Sequence, residues 1–355
     1  MAIPDAEYLK NYDGPALRIM EVCGTHTAAI FKSGIRSLLS PNIRLVSGPG
    51  CPVCVTVPAY IDRCIEISLL PDHELLCFGD LLKVPGAERT LSDAKGMGGR
   101  VRMVWSPFDA LALAEQEPET VFVIAAIGFE TTAPAFALLL KEAMGRGIKN
   151  IKLLTSLKSA LTAIDWVCAA GEAVDAFLCP GHVSVITGAD AYIPLAEKYN
   201  RPFIVAGFEG EHLLAAIHAA VKDASEGRGG VRNLYPEAVS SGGNLKAKEI
   251  TERYFDLATA VWRGLGSVPD SGYYLKEEYS AYDMNTSQGD DSCGAREVEQ
   301  SISRDFAEGC RCGDVILGRI DPDECPLFGT ACTPVHAVGP CMVSSEGACG
   351  IWYRK

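Results

Sequence analysis

The apolar residues of this chain fall into short continuous runs rather than a strict alternation. Such runs read as strands buried on both faces when helical segments separate them. They occur at Leu17–Val22, Ile43–Gly48, Glu74–Gly79, Val101–Trp105, Val121–Gly128, Ile151–Ser156, Ala176–Ser184 and Pro202–Gly210. Between them lie helical patterns. One begins at Ala28, and one spans Pro58–Leu70 with Ile61, Ile65 and Leu69 on one side. Others cover Pro107–Glu115, the stretch ending at Met144, Ala160–Gly171 and His212–Val221. Strand and helix in alternation specify parallel sheets covered on both faces. The pattern predicts two parallel-sheet α/β domains facing a cleft, residues 30–118 and 119–225. A third, mostly irregular or helical domain is expected from residues 1–29 and 226–355. Within it, Gly227–Asn233 reads as a linker, the second half of Tyr235–Gly266 as helical, and 283–295 as a polar surface loop.

Composition narrows the classes. Of 355 residues, 48% are hydrophobic and 22% charged, an ordinary globular balance. The net charge of −13 argues against nucleic acid or an anionic membrane as partner. Glu130 and Pro134 interrupt the longest apolar stretch, Val121–Leu140, which excludes it as a membrane span. The opening residues have neither a basic start nor an apolar run, so no secretory signal is expected. The fourteen cysteines are therefore expected in a reducing, cytoplasmic setting, where thiols signify metal or redox chemistry.

Six of them lie between Cys310 and Cys349: Cys310, Cys312, Cys325, Cys332, Cys341 and Cys349, with Pro326, Pro334 and Pro340 among them. That density of proline favours a pocket built from loops. The separations exceed those of a zinc knuckle, which leaves zinc or structural disulfides as weaker readings than an iron–sulfur cluster. Cys51-Pro52-Val53-Cys54 follows a strand, a placement that suits a redox pair or half of a tetrathiolate metal site. Cys23-Gly24-Thr25-His26-Thr27 sets a thiol and an imidazole within three residues. It is a metal site or a buried cysteine beside a hydrogen-bonded histidine. Glu130 and His182 are candidates for proton handling, with helix capping the plainer role. Cys51, Cys54, Glu130, Thr131, Thr132, His182 and Glu209 all follow C-terminal strand ends, the ligand-binding edge of open α/β sheets. Cys64, Cys77, Cys168 and Cys179 read as buried small hydrophobes.

Taken together, CGTHT, GPGCPVC, GFETTAP, PGHVS, GFEG and CPLFGTACTPVHAVGPCMVSSEGAC closely resemble the HypD family of hydrogenase maturation factors, in order and along the whole chain. The resemblance implies an iron–sulfur scaffold, rather than a turnover enzyme, on which the Fe(CN)2CO unit of [NiFe]-hydrogenases is assembled. It implies a small chaperone partner, HypC, and cyanide delivered by HypE with HypF. By the same resemblance Cys23 holds the iron together with a cysteine of HypC, His26 assists, and Cys51 and Cys54 form a redox pair. A [4Fe-4S] cluster would use Cys310, Cys325, Cys332 and Cys349, leaving Cys312 and Cys341 as a second thiol pair. The quartet Cys325, Cys332, Cys341 and Cys349 is also compatible with the spacing. His336 in CTPVHAVGPC is a mild departure from the family pattern. Two other readings are a stand-alone thiol-disulfide oxidoreductase and a purely structural iron–sulfur subunit.

Overall fold

The computed structural model describes residues 3–285 and 308–354. Its strands are β1 (Leu17–Glu21), β2 (Ile43–Ser47), β3 (His73–Cys77), β4 (Val101–Met103), β5 (Val121–Gly128) and β6 (Ile151–Lys158). They continue with β7 (Ala176–Cys179), β8 (Pro202–Val205), β9 (Gly230–Asn233), β10 (Phe255–Trp262) and β11 (Gly266–Leu275). These strands make two α/β sheets. One has five strands, all parallel, in the order β2-β1-β7-β8-β9. The other has six, in the order β10-β11-β6-β5-β3-β4, parallel from β6 to β4, with the β10–β11 hairpin antiparallel to β6. A third unit, from residue 308 onward, is built of loops and short helices at Cys312–Ile316, Pro340–Val343 and Ala348–Tyr353.

The strands form because their residues are apolar on both faces. In β5 every residue after Val121 is buried, and helices cover both sides. Helix Ala133–Gly145 takes Pro134 in its first turn, where a missing N–H costs nothing. Helix Gly210–Ser225 buries Leu213, Leu214, Ile217, Ala220 and Val221 at helical spacing. Those residues pack with Ile19, Leu178 and Ile204 of the five-stranded sheet.

Sheet membership does not follow the division expected near residue 118. The chain lays down β1 and β2 in the first sheet, crosses to the second for β3–β6, returns for β7–β9, and crosses again for the hairpin. A run of Val and Ile states that a strand is buried, but not which neighbours it pairs with. The expected third domain is divided in the same way: β1 and β9 belong to the first sheet, β10 and β11 to the second. The segment read as a linker ends in β9, which pairs in parallel with β8. The stretch read as helical holds helix Leu245–Tyr254 and then β10, whose hairpin turns at Gly264 with φ +88°. The strand expected over Ala176–Ser184 stops at Cys179, and Gly181 opens a helix. Asp283 and Asn285 are buried, Asn285 donating to Thr155 Oγ1 at 2.8 Å. The rest of the loop expected over 283–295 lies outside the described residues.

The C-terminal unit docks on the β1–β2 side of the first sheet. Arg18 Nη2 donates to the carbonyl of Gly318, and Arg44 pairs with Asp321 and Glu324, both at 2.9 Å. This docking places the C-terminal cysteines beside the strand ends that carry Cys23 and Cys51.

Candidate functional site

Two neighbouring voids gather the chemistry. The first is a crevice at the C-terminal ends of β1 and β2, lined by Glu21, Cys23, Cys51, Cys54, Cys341 and Glu346 among others. The loops meet closely there because two glycines allow it. A Cβ on Gly50 would overlap the backbone of Cys23, and one on Gly24 would overlap the carbonyl of Glu346. Cys23 caps helix Gly24–Lys32 in an extended conformation. Burial pushes its thiol up to about 11, the backbone N–H of His26 draws it down, and the Glu346 carboxylate adds to the rise. Cys51 and Cys54 are joined as a disulfide, Cα atoms 5.2 Å apart, and both are buried. The N–H of Cys54 donates to Cys51 Sγ at 3.2 Å.

His26 is fully buried, with Nε2 3.2 Å from the carbonyl of Ala206. A carbonyl only accepts, so Nε2 carries the proton. Nδ1 is buried without a hydrogen-bond partner. Phe208 stands between His26 and His182, its ring centroid 5.0 Å from one and 4.2 Å from the other. Burial lowers the His26 pKa from 6.5 to about 4. The unfolded chain therefore takes up this proton first as pH falls. His26 contributes stability that is present above pH 6.5 and lost progressively down to about pH 4. Thermal denaturation across that window should show a loss of about 3 kcal/mol at most from this residue. His26→Gln, which keeps a donor for Ala206, should flatten the dependence. An unchanged slope would show that His26 is not the group responsible.

The second void is lined by all six C-terminal cysteines together with Leu327, Phe328, Gly339 and Met342. Cys312 and Cys341 lie 2.7 Å apart, Sγ to Sγ. Cys341 also lines the first crevice, so it joins the two voids. The N–H of Val338 donates to Cys332 Sγ at 3.4 Å, and a Cβ on Gly339 would press on Cys310 Sγ at 3.2 Å. Burial raises the Cys349 thiol, and the neighbouring cysteines add to the rise.

Among the described residues no three His, Cys, Asp or Glu side chains are close enough to hold a single metal ion. A polynuclear cluster places its metals between the thiolates, and soft sulfur donors with N–H groups aimed at them are its usual setting. The donor set fits such a group. Both voids are narrow, about 10 Å³ each.

A larger cavity of about 570 Å³ lies elsewhere, lined by Glu130, Ser159, Thr187, Lys248, Phe255 and Tyr273 among others and by no cysteine. Donor chemistry rather than size therefore marks the candidate site. Glu130 lines that cavity and not the cysteine crevice. It is buried, and its carboxylate accepts from Ser159 Oγ at 2.8 Å and from the N–H of Ala160 at 3.1 Å, capping helix Ala160–Ala169 from outside. Burial raises its pKa. His182 is exposed at the start of its helix, and Glu209 is the exposed N-cap residue of helix Gly210–Ser225. Cys64, Cys77 and Cys179 are wholly buried in the domain cores, and Cys168 nearly so.

The sequence reading did not single out Glu21, Arg36 or Glu346. Glu346 accepts from Thr25 Oγ1 at 3.2 Å and so ties the C-terminal unit to the Cys23 loop. Glu21 ends β1 inside the first crevice, paired with Arg36 at 3.0 Å. Their one local signal is proximity to a cysteine motif.

Fold and site define a cysteine-centred α/β protein, with a thiol crevice set against a six-thiol pocket. The chain belongs to the HypD family of hydrogenase maturation factors: the model of that family, described as "Hydrogenase formation hypA family", matches residues 6–355. It is 41% identical to the hydrogenase maturation factor HypD of Azotobacter vinelandii over 344 residues, 95% of this chain and 88% of that protein. It is also 41% identical to the hydrogenase maturation factor HypD of Escherichia coli K12 over 346 residues, 95% of this chain and 89% of that one. The HypD of Rhodobacter capsulatus is 38% identical over 343 residues. No helix among the described residues is long and apolar enough to cross a membrane.

Proposed function

We propose that this chain is a cytoplasmic scaffold in [NiFe]-hydrogenase maturation, on which the Fe(CN)2CO unit is assembled with a HypC-type chaperone and with cyanide supplied by HypE. The observation that carries the proposal is the adjacency of the two voids through Cys341. The iron is cargo, held by the Cys23 thiolate at the helix N-terminus and by a thiolate of the small partner. Binding must displace the Cys23 proton, since burial holds that thiol protonated at neutral pH. The partial charge of the helix N-terminus and the N–H of His26 then favour the thiolate.

Cys310, Cys325, Cys332 and Cys349 would hold a [4Fe-4S] cluster. When bound, that group supplies single electrons. Cys312 and Cys341 form the second thiol pair, and Cys341 reaches the crevice where the Cys51–Cys54 disulfide lies. Reducing that disulfide takes two electrons and two protons and yields two thiols beside Cys23. His26 stays neutral in its buried position and orients the first turn of the Cys23 helix through Ala206. Gly24 and Gly50 keep the loops close enough for these groups to meet.

The reading is tested by anaerobic purification with the small partner followed by infrared spectroscopy. Stretching bands of CN and CO on the complex are the expected result. A protein that cycles its disulfide and carries a cluster but never shows those bands would instead be a stand-alone thiol-disulfide oxidoreductase. The redox role of Cys51 and Cys54 has its own check. After mild reduction both should be alkylated together, and mild oxidation should protect both together. Labelling of only one at every potential would reduce the pair to a structural feature.

A further inference from the structure

The helix that carries Cys349, Ala348–Tyr353, lies against the helix that Cys23 caps, and one arginine joins the two. Arg36 belongs to the single turn Ile35–Leu38 that follows the Cys23 helix. Its guanidinium carbon lies 4.9 Å from the ring centre of Phe31 and 5.0 Å from that of Trp352. The two rings meet edge to face, 5.2 Å apart at 73°. Nη1 of the same group donates to the carbonyl of Leu45 in β2 at 3.1 Å. Nη2 donates to Glu21 Oε1 at 3.0 Å. The Glu21 side chain is wholly buried, and its other oxygen has no hydrogen-bond partner. One cation thus compensates a buried carboxylate two residues before Cys23 while its flat faces cover an aromatic ring of the C-terminal helix.

Few residues suit this place. A planar guanidinium stacks on an aromatic face and still spends its edge on two acceptors, whereas a lysine ammonium keeps the charge and loses the stacking. Without that cation the Glu21 carboxylate loses its compensation, and it must either take up a proton, which its burial already favours, or draw water to itself. The end of β1 and the C-terminal helix would separate at the same point. Among the described residues these parts also meet where Gly24 approaches Glu346 and where Thr25 donates to Glu346.

We propose that Arg36 is a positioning residue that clamps the Cys349 helix onto the end of β1 and so sets how far the crevice at Cys23 opens. The use of that opening rests on reading Cys23 as the iron-holding thiol, but the clamp is measured on the thiol itself. Full-length protein with its cluster in place is treated anaerobically with N-ethylmaleimide, and labelling is mapped by mass spectrometry. Cys23, nine-tenths buried, should react slowly in the native chain. In Arg36→Ala its rate should rise by roughly tenfold or more, as a local opening does. Arg36→Lys should fall between, and Trp352→Leu should accelerate labelling although the arginine remains. Cys64, fully buried in the other domain, is the control and should stay protected in every variant. Slow labelling of Cys23 in Arg36→Ala would overturn the proposal. So would equal acceleration at Cys64, which marks general loosening. Whether Cys23 holds iron is read separately from infrared bands of the loaded complex, so failure of that reading leaves the labelling result standing.

Discussion

Cys23→Ala is expected to lose the ligated iron entirely while keeping the cluster and the Cys51–Cys54 couple. The thiol stands at the N-terminus of its helix, in a crevice whose other thiols are joined to each other or turned toward the second void. Removing one sulfur from a buried site costs about 1 kcal/mol, well within what a domain of this size tolerates. The fold should therefore survive, and the complex with the small partner should persist, since an interface spreads over many residues. CN and CO bands should fall to background, with the visible absorption of the cluster unchanged. Bands at normal strength would move the iron to Cys51 and Cys54.

The other large effect is expected at the second void. Cys332→Ser should bleach the broad visible absorption, lower the iron content by the cluster's share, and loosen the segment from 308 to 354. The reason is architectural. That unit has short helices, its cysteines line its internal void, and it is attached both by ion pairs such as Arg44 with Asp321 and Glu324 and by packing of Ile316, Leu317 and Met342 with Met20, Val22 and Val46. Exposed pairs of this kind contribute little. A group held by four thiolates couples its binding to folding. Proteolysis limited to the C-terminal unit of the variant, with the two sheets left intact, is the expected readout. A variant as resistant as the native chain would mean that packing alone holds the unit.

The sequence made the strands legible because their burial is written in each one. It left sheet membership open, because pairing depends on partners far along the chain. β2 and β3 look alike as apolar runs yet lie in different sheets. β9 was hidden by glycines that serve an edge strand as well as a linker. β10 was hidden by Ala258 and Ala260, which favour no strand on their own. The cysteine motifs announced their chemistry by clustering. Spacing could not choose the cluster's quartet, however, and all six thiols face one void. The contact between Cys312 and Cys341 is what supports setting those two apart. Capping is legible as the plainer role of Glu130 and His182; the fold adds that Glu130 caps the distant helix Ala160–Ala169 and that His182 stacks on Phe208. Beyond their proximity to cysteine motifs, Arg36 and Glu346 carry no local signal, for Trp352 and Thr25, which they meet across the crevice, lie more than three hundred residues away.

On the proposed function, one chain should present two distinct iron environments side by side. Mössbauer spectroscopy of the complex with its small partner, grown on isotope-enriched iron, tests it most directly. The native complex should show two components, the paired irons of the cluster and a separate low-spin iron, with only the second missing in Cys23→Ala. A native spectrum holding the cluster component alone, or a Cys23→Ala spectrum that retains both, would contradict it.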